Sequence, residues 1–250
     1  MLSSFFTRVE SSSGRLGSQD QAKKAAADRA LELVESGMTL GLGTGSTVEF
    51  FLQGLAHRVK QGLEVRCVPT SVATERRARE LNIPLLGPAS FPLLGNDLCV
   101  DGADRVDLQG FLIKGGGGAL LREKLVASHS SRVCILVDSS KLVTSFDEGF
   151  ALPVECVPFG VESTMALLAQ LDCEPGLRTL DDGQPLCTDN GNYIVDCLFR
   201  EIPDPGTTLM CLLSLPGVVE VGLFSDLLDV LIVGFADGTT LDWDGSLSNS

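Results

Sequence analysis

Met38-Thr39-Leu40-Gly41-Leu42-Gly43-Thr44-Gly45-Ser46-Thr47 sets the reading of the whole chain. The apolar run over 38–42 has the length of a buried strand, and residues 48–58 carry apolar positions at helical spacing. A strand that ends in a Gly-rich loop and runs straight into a helix is the start of an α/β unit. The alternation continues outward. Residues 21–36 read as a helix with Ala26, Ala30, Leu33 and Val34 on one side. Residues 63–68 read as a strand ending in Pro69-Thr70-Ser71, and 73–81 as a helix. Residues 97–100 form a strand ending at Asp101, 118–128 a helix, and 133–137 a buried strand ending in Asp138-Ser139-Ser140-Lys141. Strands alternating with helices predict a parallel sheet covered on both faces. Ligands of such sheets sit at the carboxyl ends of the strands. Here four of those ends carry the unusual residues: GTGST, PTS, DGAD and DSSK.

After about residue 149 the rhythm changes. A strand over 152–157 and a helix over 161–171 precede two strand-like runs, near Leu177 and around Tyr193-Ile194-Val195. Asp189-Asn190-Gly191-Asn192 is a hairpin signal. A helix over 207–215 and a strand over 218–224 follow. This order predicts a smaller ferredoxin-like α/β domain inserted in a Rossmann-like α/β domain. The expected division is a flexible Ser-rich tail over 1–18, the Rossmann-like domain over 19–149 and 225–250, and the small domain over 150–224.

Composition narrows the function. The 250 residues are 44% hydrophobic and 21% charged, which excludes a disordered chain. The net charge of −14 speaks against a nucleic-acid partner, which needs a basic face. No apolar run reaches the ~18 residues of a membrane helix; the nearest, 209–224, is broken by Ser214, Pro216 and Glu220. The eight cysteines (67, 99, 134, 156, 173, 187, 197 and 211) form no CxxC pair. They read as reduced thiols of a cytoplasmic protein. With no close Cys/His pairs, no metal site is expected. His57 and His129 are the only histidines, so a general base is expected among the carboxylates.

Three motifs carry chemistry. Gly41 to Thr47 offers glycines for close backbone approach, amides at a helix start and two hydroxyls, together an anion cradle. Ser46 stands where the dinucleotide fingerprint needs Gly or Ala, and the Gly-Lys-Ser/Thr of a Walker loop is absent. A Gly-rich turn with a Ser/Thr cap, needing no ligand, is the plain alternative. Asp101-Gly102-Ala103-Asp104 places two acids at a strand end, where they can bond sugar hydroxyls and shuttle protons; a simple turn needs only one of them. Lys114-Gly115-Gly116-Gly117-Gly118 followed by Ala119-Leu120-Leu121-Arg122-Glu123-Lys124 groups a cation and a carboxylate around one loop. Four consecutive glycines cost conformational entropy, and a flexible linker is rarely flanked by apolar strand and helix residues. Lys141 adds a second cation after the next strand.

In this order, GLGTGST, DGAD, KGGGGALLREK, VDSSK, LPVECVP, TDNGN and LPGVVEVGLF closely resemble the A-type ribose-5-phosphate isomerases, over residues 19–238. The resemblance implies a cofactor-free aldose–ketose isomerase of the non-oxidative pentose phosphate pathway, passing through a cis-enediol. It implies Glu123 as the base that moves a proton between C2 and C1. Asp101, Asp104 and Lys114 match the groups that handle hydroxyl protons and steady the enediolate. Thr44, Gly45, Ser46, Thr47, Gly102, Ala103, Gly115, Gly116, Gly117 and Lys141 match substrate-binding positions, as does Lys23 in the first helix. A homodimer or homotetramer acting on a small sugar phosphate is implied. Two departures stand out: Arg105 replaces the usual Glu after DGAD, and Leu227-Leu228 precede Asp229 where a basic or small residue and Ala are usual. Chemically, proton abstraction beside a carbonyl needs a base, an electrophilic stabiliser and a dry pocket. A sugar-phosphate sensor would keep GTGST without needing Glu123 and Lys114. A coenzyme A transferase-like enzyme would use its glutamate as a nucleophile. DGAD and the four glycines favour the isomerase.

Overall fold

The computed structural model describes residues 2–10, 18–87, 95–147 and 149–245. In chain order the elements begin α1 (Leu2–Glu10), α2 (Gln19–Leu31), β1 (Thr39–Leu42), α3 (Ser46–Lys60), β2 (Arg66–Pro69), α4 (Val72–Glu80) and β3 (Leu98–Gly102). Then come β4 (Arg105–Val106), β5 (Leu112–Ile113), α5 (Leu120–Ser128), β6 (Val133–Asp138), β7 (Phe146–Asp147), β8 (Ala151–Cys156) and α6 (Val161–Leu168). The chain closes with β9 (Cys173–Leu177), β10 (Tyr193–Phe199), β11 (Glu201–Ile202), α7 (Pro205–Leu213), β12 (Val218–Val221), β13 (Leu223–Phe224), β14 (Val230–Gly234) and β15 (Thr240–Trp243). They fall into two compact units, residues 1–103 with 122–142 and 227–250, and residues 104–121 with 143–226.

The first unit is built on a six-stranded sheet of order β15-β14-β6-β3-β1-β2. All neighbours are parallel except β15, which runs antiparallel to β14 at the edge. Among the five parallel strands this is the 2-1-3-4-5 order of a doubly wound sheet, whose switch point lies between β1 and β3. Their carboxyl ends are Leu42, followed by GTGST, and Gly102, preceded by Asp101. Burial on both faces explains the continuous apolar runs: every residue of β1, β6 and β14 is buried. Phe51 and Leu55 of α3 join Leu40, Val100 and Leu136 in the core. Ser18 and Gln21 cap α2 reciprocally, the Ser18 hydroxyl accepting from Gln21 N and the Gln21 side chain accepting from Ser18 N.

The second unit carries a four-stranded antiparallel sheet of order β12-β8-β10-β9 with α6 and α7 between its strands. That is the split βαβ, ferredoxin-like pattern expected. The DNGN segment is a turn, with Gly191 at φ 80° and Thr188 N donating to Asn192 O at 2.8 Å. Beside it, one oxygen of the fully buried Glu155 accepts from Thr188 Oγ1 (2.9 Å), Asn190 Nδ2 (3.1 Å) and Asn192 Nδ2 (2.9 Å).

Two expectations need correcting. Residues 2–10 of the expected flexible tail form a helix, with Leu2, Phe5, Phe6 and Val9 buried and the helix against β15. Spacing at i, i+3, i+4 and i+7 gives α1 one apolar face, and that face outweighs the Ser-rich composition. Residues 11–17 of that tail lie outside the described residues. The domain boundary also moves. Residues 104–121, assigned above to the larger domain, join the smaller unit, because β4 and β5 pair with each other and β5 pairs with β13.

All eight cysteines are free thiols, and only Cys187 and Cys211 are exposed. Burial pushes the Cys67 and Cys156 thiols up to about 12. At pH 8 two thiols are therefore expected to react rapidly with an aromatic disulfide reagent, and the other six only after unfolding. A third fast thiol would contradict this packing. The stability gained by keeping Cys67 and Cys156 neutral is fully present below their ordinary value of 9.0 and falls as pH rises toward about 12.

Candidate active site

The first unit holds the GTGST loop, Asp101 and Glu123. Gly43 leaves β1 with its N–H on Val100 O (2.9 Å), which brings the loop against β3. There Asp101 Oδ1 accepts from Thr44 N (3.1 Å) and from Gly102 N (2.7 Å). The Thr44 hydroxyl turns into the protein, 2.8 Å from Thr70 Oγ1, 2.8 Å from Ser71 Oγ and 3.0 Å from Thr74 Oγ1. Thr74 in turn donates to Gly43 O at 2.9 Å. Thr44 thus builds the loop, and the outward groups are those of Gly45, Ser46 and Thr47. Gly45 and Ser46 are exposed and Thr47 half-buried. Gly45, at φ 125°, is the N-cap of α3, whose first amides have no acceptor within the helix.

Asp101 is 2% exposed and Glu123, in the first turn of α5, is 4% exposed. Glu123 lies on the buried face of α5 with Leu120 and Ala127, while Leu125 faces out at 44%. Lys23 on α2 and Lys141 in the single 3₁₀ turn after β6 are both half-buried. Asp138 caps that turn, accepting from Ser140 N at 3.0 Å, and so fixes where Lys141 leaves the strand.

The second unit holds Asp104, Lys114 and the glycines. The β4–β5 hairpin returns the chain so that Asp104 N bonds Ile113 O (2.8 Å), and Gly116 N bonds Asp104 Oδ2 (2.9 Å). A Cβ at Gly116 would sit 2.9 Å from Asp104 Oδ1, so a side chain there would displace the carboxylate. Lys114 is 3% exposed; its N–H is held by Gly222 O (2.8 Å) and its ammonium lies 5.7 Å from the centre of the Phe224 ring. Gly222 also explains why the expected strand over 218–224 divides into β12 and β13. It sits against the Lys114 and Pro153 carbonyls, where no side chain fits. Arg105 stacks 4.0 Å over Phe150 and donates to the Asp104 carbonyl (2.7 Å). Gly102 and Ala103 are half-buried, Gly115 buried, and Gly116 and Gly117 exposed.

Sequence reasoning missed Thr70 and Thr74 as props of the loop, Phe224 beside Lys114, and Arg178 behind the glycines. PTS carried a signal for Thr70, and LPGVVEVGLF ends on Phe224 without showing what the ring meets; Arg178 follows a weak strand with no motif. Among the described residues no group of His, Cys, Asp and Glu side chains is arranged to hold a metal ion, and no helix is long and apolar enough to cross a membrane.

Residues 66–238 match the family profile of ribose 5-phosphate isomerase A (phosphoriboisomerase A). A ribose-5-phosphate isomerase A of Parvibaculum lavamentivorans is 47% identical over 228 residues, covering 89% of this chain and 97% of the relative. The ribose 5-phosphate isomerase A structure from Methanocaldococcus jannaschii superposes with a TM-score of 0.85 at 35% identity, over 91% of this chain and 100% of that one. A D-ribose-5-phosphate isomerase solved in complex with phospho-erythronic acid superposes at 0.84 and 36% identity, over 89% of this chain and 97% of that one. Profile, sequence and fold agree that the chain belongs to the ribose 5-phosphate isomerase A family.

Proposed function

We propose that Glu123, Asp101, Asp104 and Lys114 carry the chemistry of this chain, an isomerase that interconverts D-ribose 5-phosphate and D-ribulose 5-phosphate. The observation behind the assignment is burial. Asp101, Lys114 and Glu123 are 2%, 3% and 4% exposed, although ionisable side chains are rarely buried without a task. All three come from the strand-end and helix-start motifs.

In the forward direction Glu123 takes the proton from C2 of the open-chain aldose and returns it to C1. Asp101 and Asp104 pass the hydroxyl protons, so that the C1 carbonyl becomes a hydroxyl as the C2 hydroxyl becomes a carbonyl. The Lys114 ammonium offsets the negative charge of the enediolate between the two steps. The phosphate meets the amides of Gly45, Ser46 and Thr47 at the start of α3, with Lys141 and Lys23 supplying positive charge in a chain of net −14. Backbone groups of Gly102, Ala103, Gly115, Gly116 and Gly117 meet the sugar. A phospho-erythronic acid complex of a relative supports this reading, because its carboxylate pairs two oxygens on one carbon chain as an enediolate does. The proposal includes a homodimer or homotetramer in the cytoplasm; eight free thiols support the reducing compartment.

Ketose formation from ribose 5-phosphate, followed with and without a chelator, tests the activity. Turnover is expected in both conditions. Activity that vanishes with chelator and returns with a divalent ion would overturn the cofactor-free reading, and no turnover in either would overturn the function.

A further inference from the structure

We propose that Arg178 is a positioning residue for the isomerisation, fixing the peptide between Gly115 and Gly116 so that its N–H faces Asp104. The proposal rests on the assignment of Asp104 to the site. Arg178 directly follows β9, and its own backbone is held on both sides, N–H on Ile194 O and carbonyl under Leu186 N, each at 2.9 Å. Asp196 of β10 grips the guanidinium by two bonds, Nε to Oδ2 at 2.7 Å and Nη2 to Oδ1 at 2.5 Å. The remaining nitrogen, Nη1, donates to Gly115 O (2.8 Å) and Gly116 O (3.0 Å). The planar fork makes this division of labour possible: one edge is locked to a carboxylate while the other end addresses the loop.

Gly115 O and Gly116 N belong to one peptide plane. Arg178 holds the carbonyl end of that plane, and the N–H end donates to Asp104 Oδ2 at 2.9 Å. Flanking glycines, with Gly115 at φ 101°, put little steric resistance in the way of a peptide flip. A flip would turn the carbonyl oxygen toward the Asp104 carboxylate and remove its donor. The bond from Arg178 to Gly115 O selects the orientation that serves Asp104. Arg178 is largely shielded, its side chain 17% exposed, so this bond is not merely a solvated surface pair.

The test uses Arg178→Ala and the milder Arg178→Lys, whose ammonium cannot hold Asp196 and both carbonyls together. Turnover is expected to fall about 10–100-fold with KM within about three-fold, as for a misplaced catalytic group. Methylguanidinium should restore turnover to Arg178→Ala where methylammonium does not. Amide exchange in the 114–118 peptide should quicken while that of the 161–168 helix stays unchanged. Combined with Asp104→Asn, the Arg178→Ala loss should not multiply, because one residue acts through the other. Unchanged exchange in 114–118, unchanged turnover in a folded variant, or losses that multiply would each overturn the proposal. If the unmodified chain fails to isomerise ribose 5-phosphate, the functional reading falls, and the exchange measurement still decides whether Arg178 fixes the loop.

Discussion

Glu123→Gln is expected to lower turnover of ribose 5-phosphate by about 10²–10⁴-fold, the range typical of a positioned general base. Glutamine keeps the size and the hydrogen-bonding reach of glutamate but cannot take a proton. The position makes the substitution informative. Glu123 sits in the first turn of α5, 4% exposed, between the buried Leu120 and Ala127 on the same face. Glutamine fills the same volume on that face, so the variant is expected to stay folded while activity is lost. Exchange of the C2 hydrogen of ribose 5-phosphate with deuterated solvent separates this from a binding defect: exchange should fall with turnover while substrate still protects the protein against heating. Undiminished exchange would move the base role to Asp101 or Asp104. His57 and His129 are poor substitutes, since both lie outside the strand-end motifs.

The parts of the fold that were legible in sequence are those where one physical pattern governs a long enough stretch. The buried strand β6 reads as an uninterrupted apolar run, and α3 as a helical period, because sheet burial and helix faces repeat over many residues. The spatial order of the strands was not legible: nothing in β1, β2 or β3 states which is neighbour to which, and that order emerges from crossover packing. Strands of two residues, such as β4, β5 and β13, are too short to show a period. Their pairing joins Ile113 to Leu223 across the chain and moves 104–121 into the smaller unit. The helix α1 is a different kind of miss. Its apolar spacing lies at Leu2, Phe5, Phe6 and Val9, within a Ser-rich composition that by itself reads as a tail. In the candidate site, glycines and charges at strand ends stood out because those residue types are expensive there without a purpose. Arg178 did not, because an arginine after a weak strand looks like any surface residue until Gly115 and Gly116 are seen beneath it.

Gly43→Ala is expected to lose activity about 100-fold without replacing any ionisable group, since small displacements of catalytic groups cost that much. The glycine is the first residue after β1, and an added Cβ would sit 2.6 Å from the Asp101 Cα and closer still to its carboxyl group. Neither side can give way easily. Asp101 lies inside β3, in register with Ile135 of β6, so its backbone is held by the sheet. Gly43 is tied by its N–H to Val100 O and by its carbonyl to Thr74 Oγ1. The methyl group must therefore expel the Asp101 side chain, breaking its bonds to Thr44 N and Gly102 N, or push the GTGST loop off the sheet. Overpacking of this kind costs about 1–3 kcal/mol of stability, which a chain of this size survives. Gly62→Ala is the matching control. Its φ of 99° makes the substitution strained, with a cost of about 1–3 kcal/mol, yet a Cβ there meets nothing within 4 Å and the residue lies in the turn after α3. Equal destabilisation with normal turnover is expected for Gly62→Ala, and destabilisation with lost turnover for Gly43→Ala. Normal turnover in folded Gly43→Ala would mean that the carboxylate of Asp101 need not stand where β1 and β3 hold it, and its proton-handling role would fall.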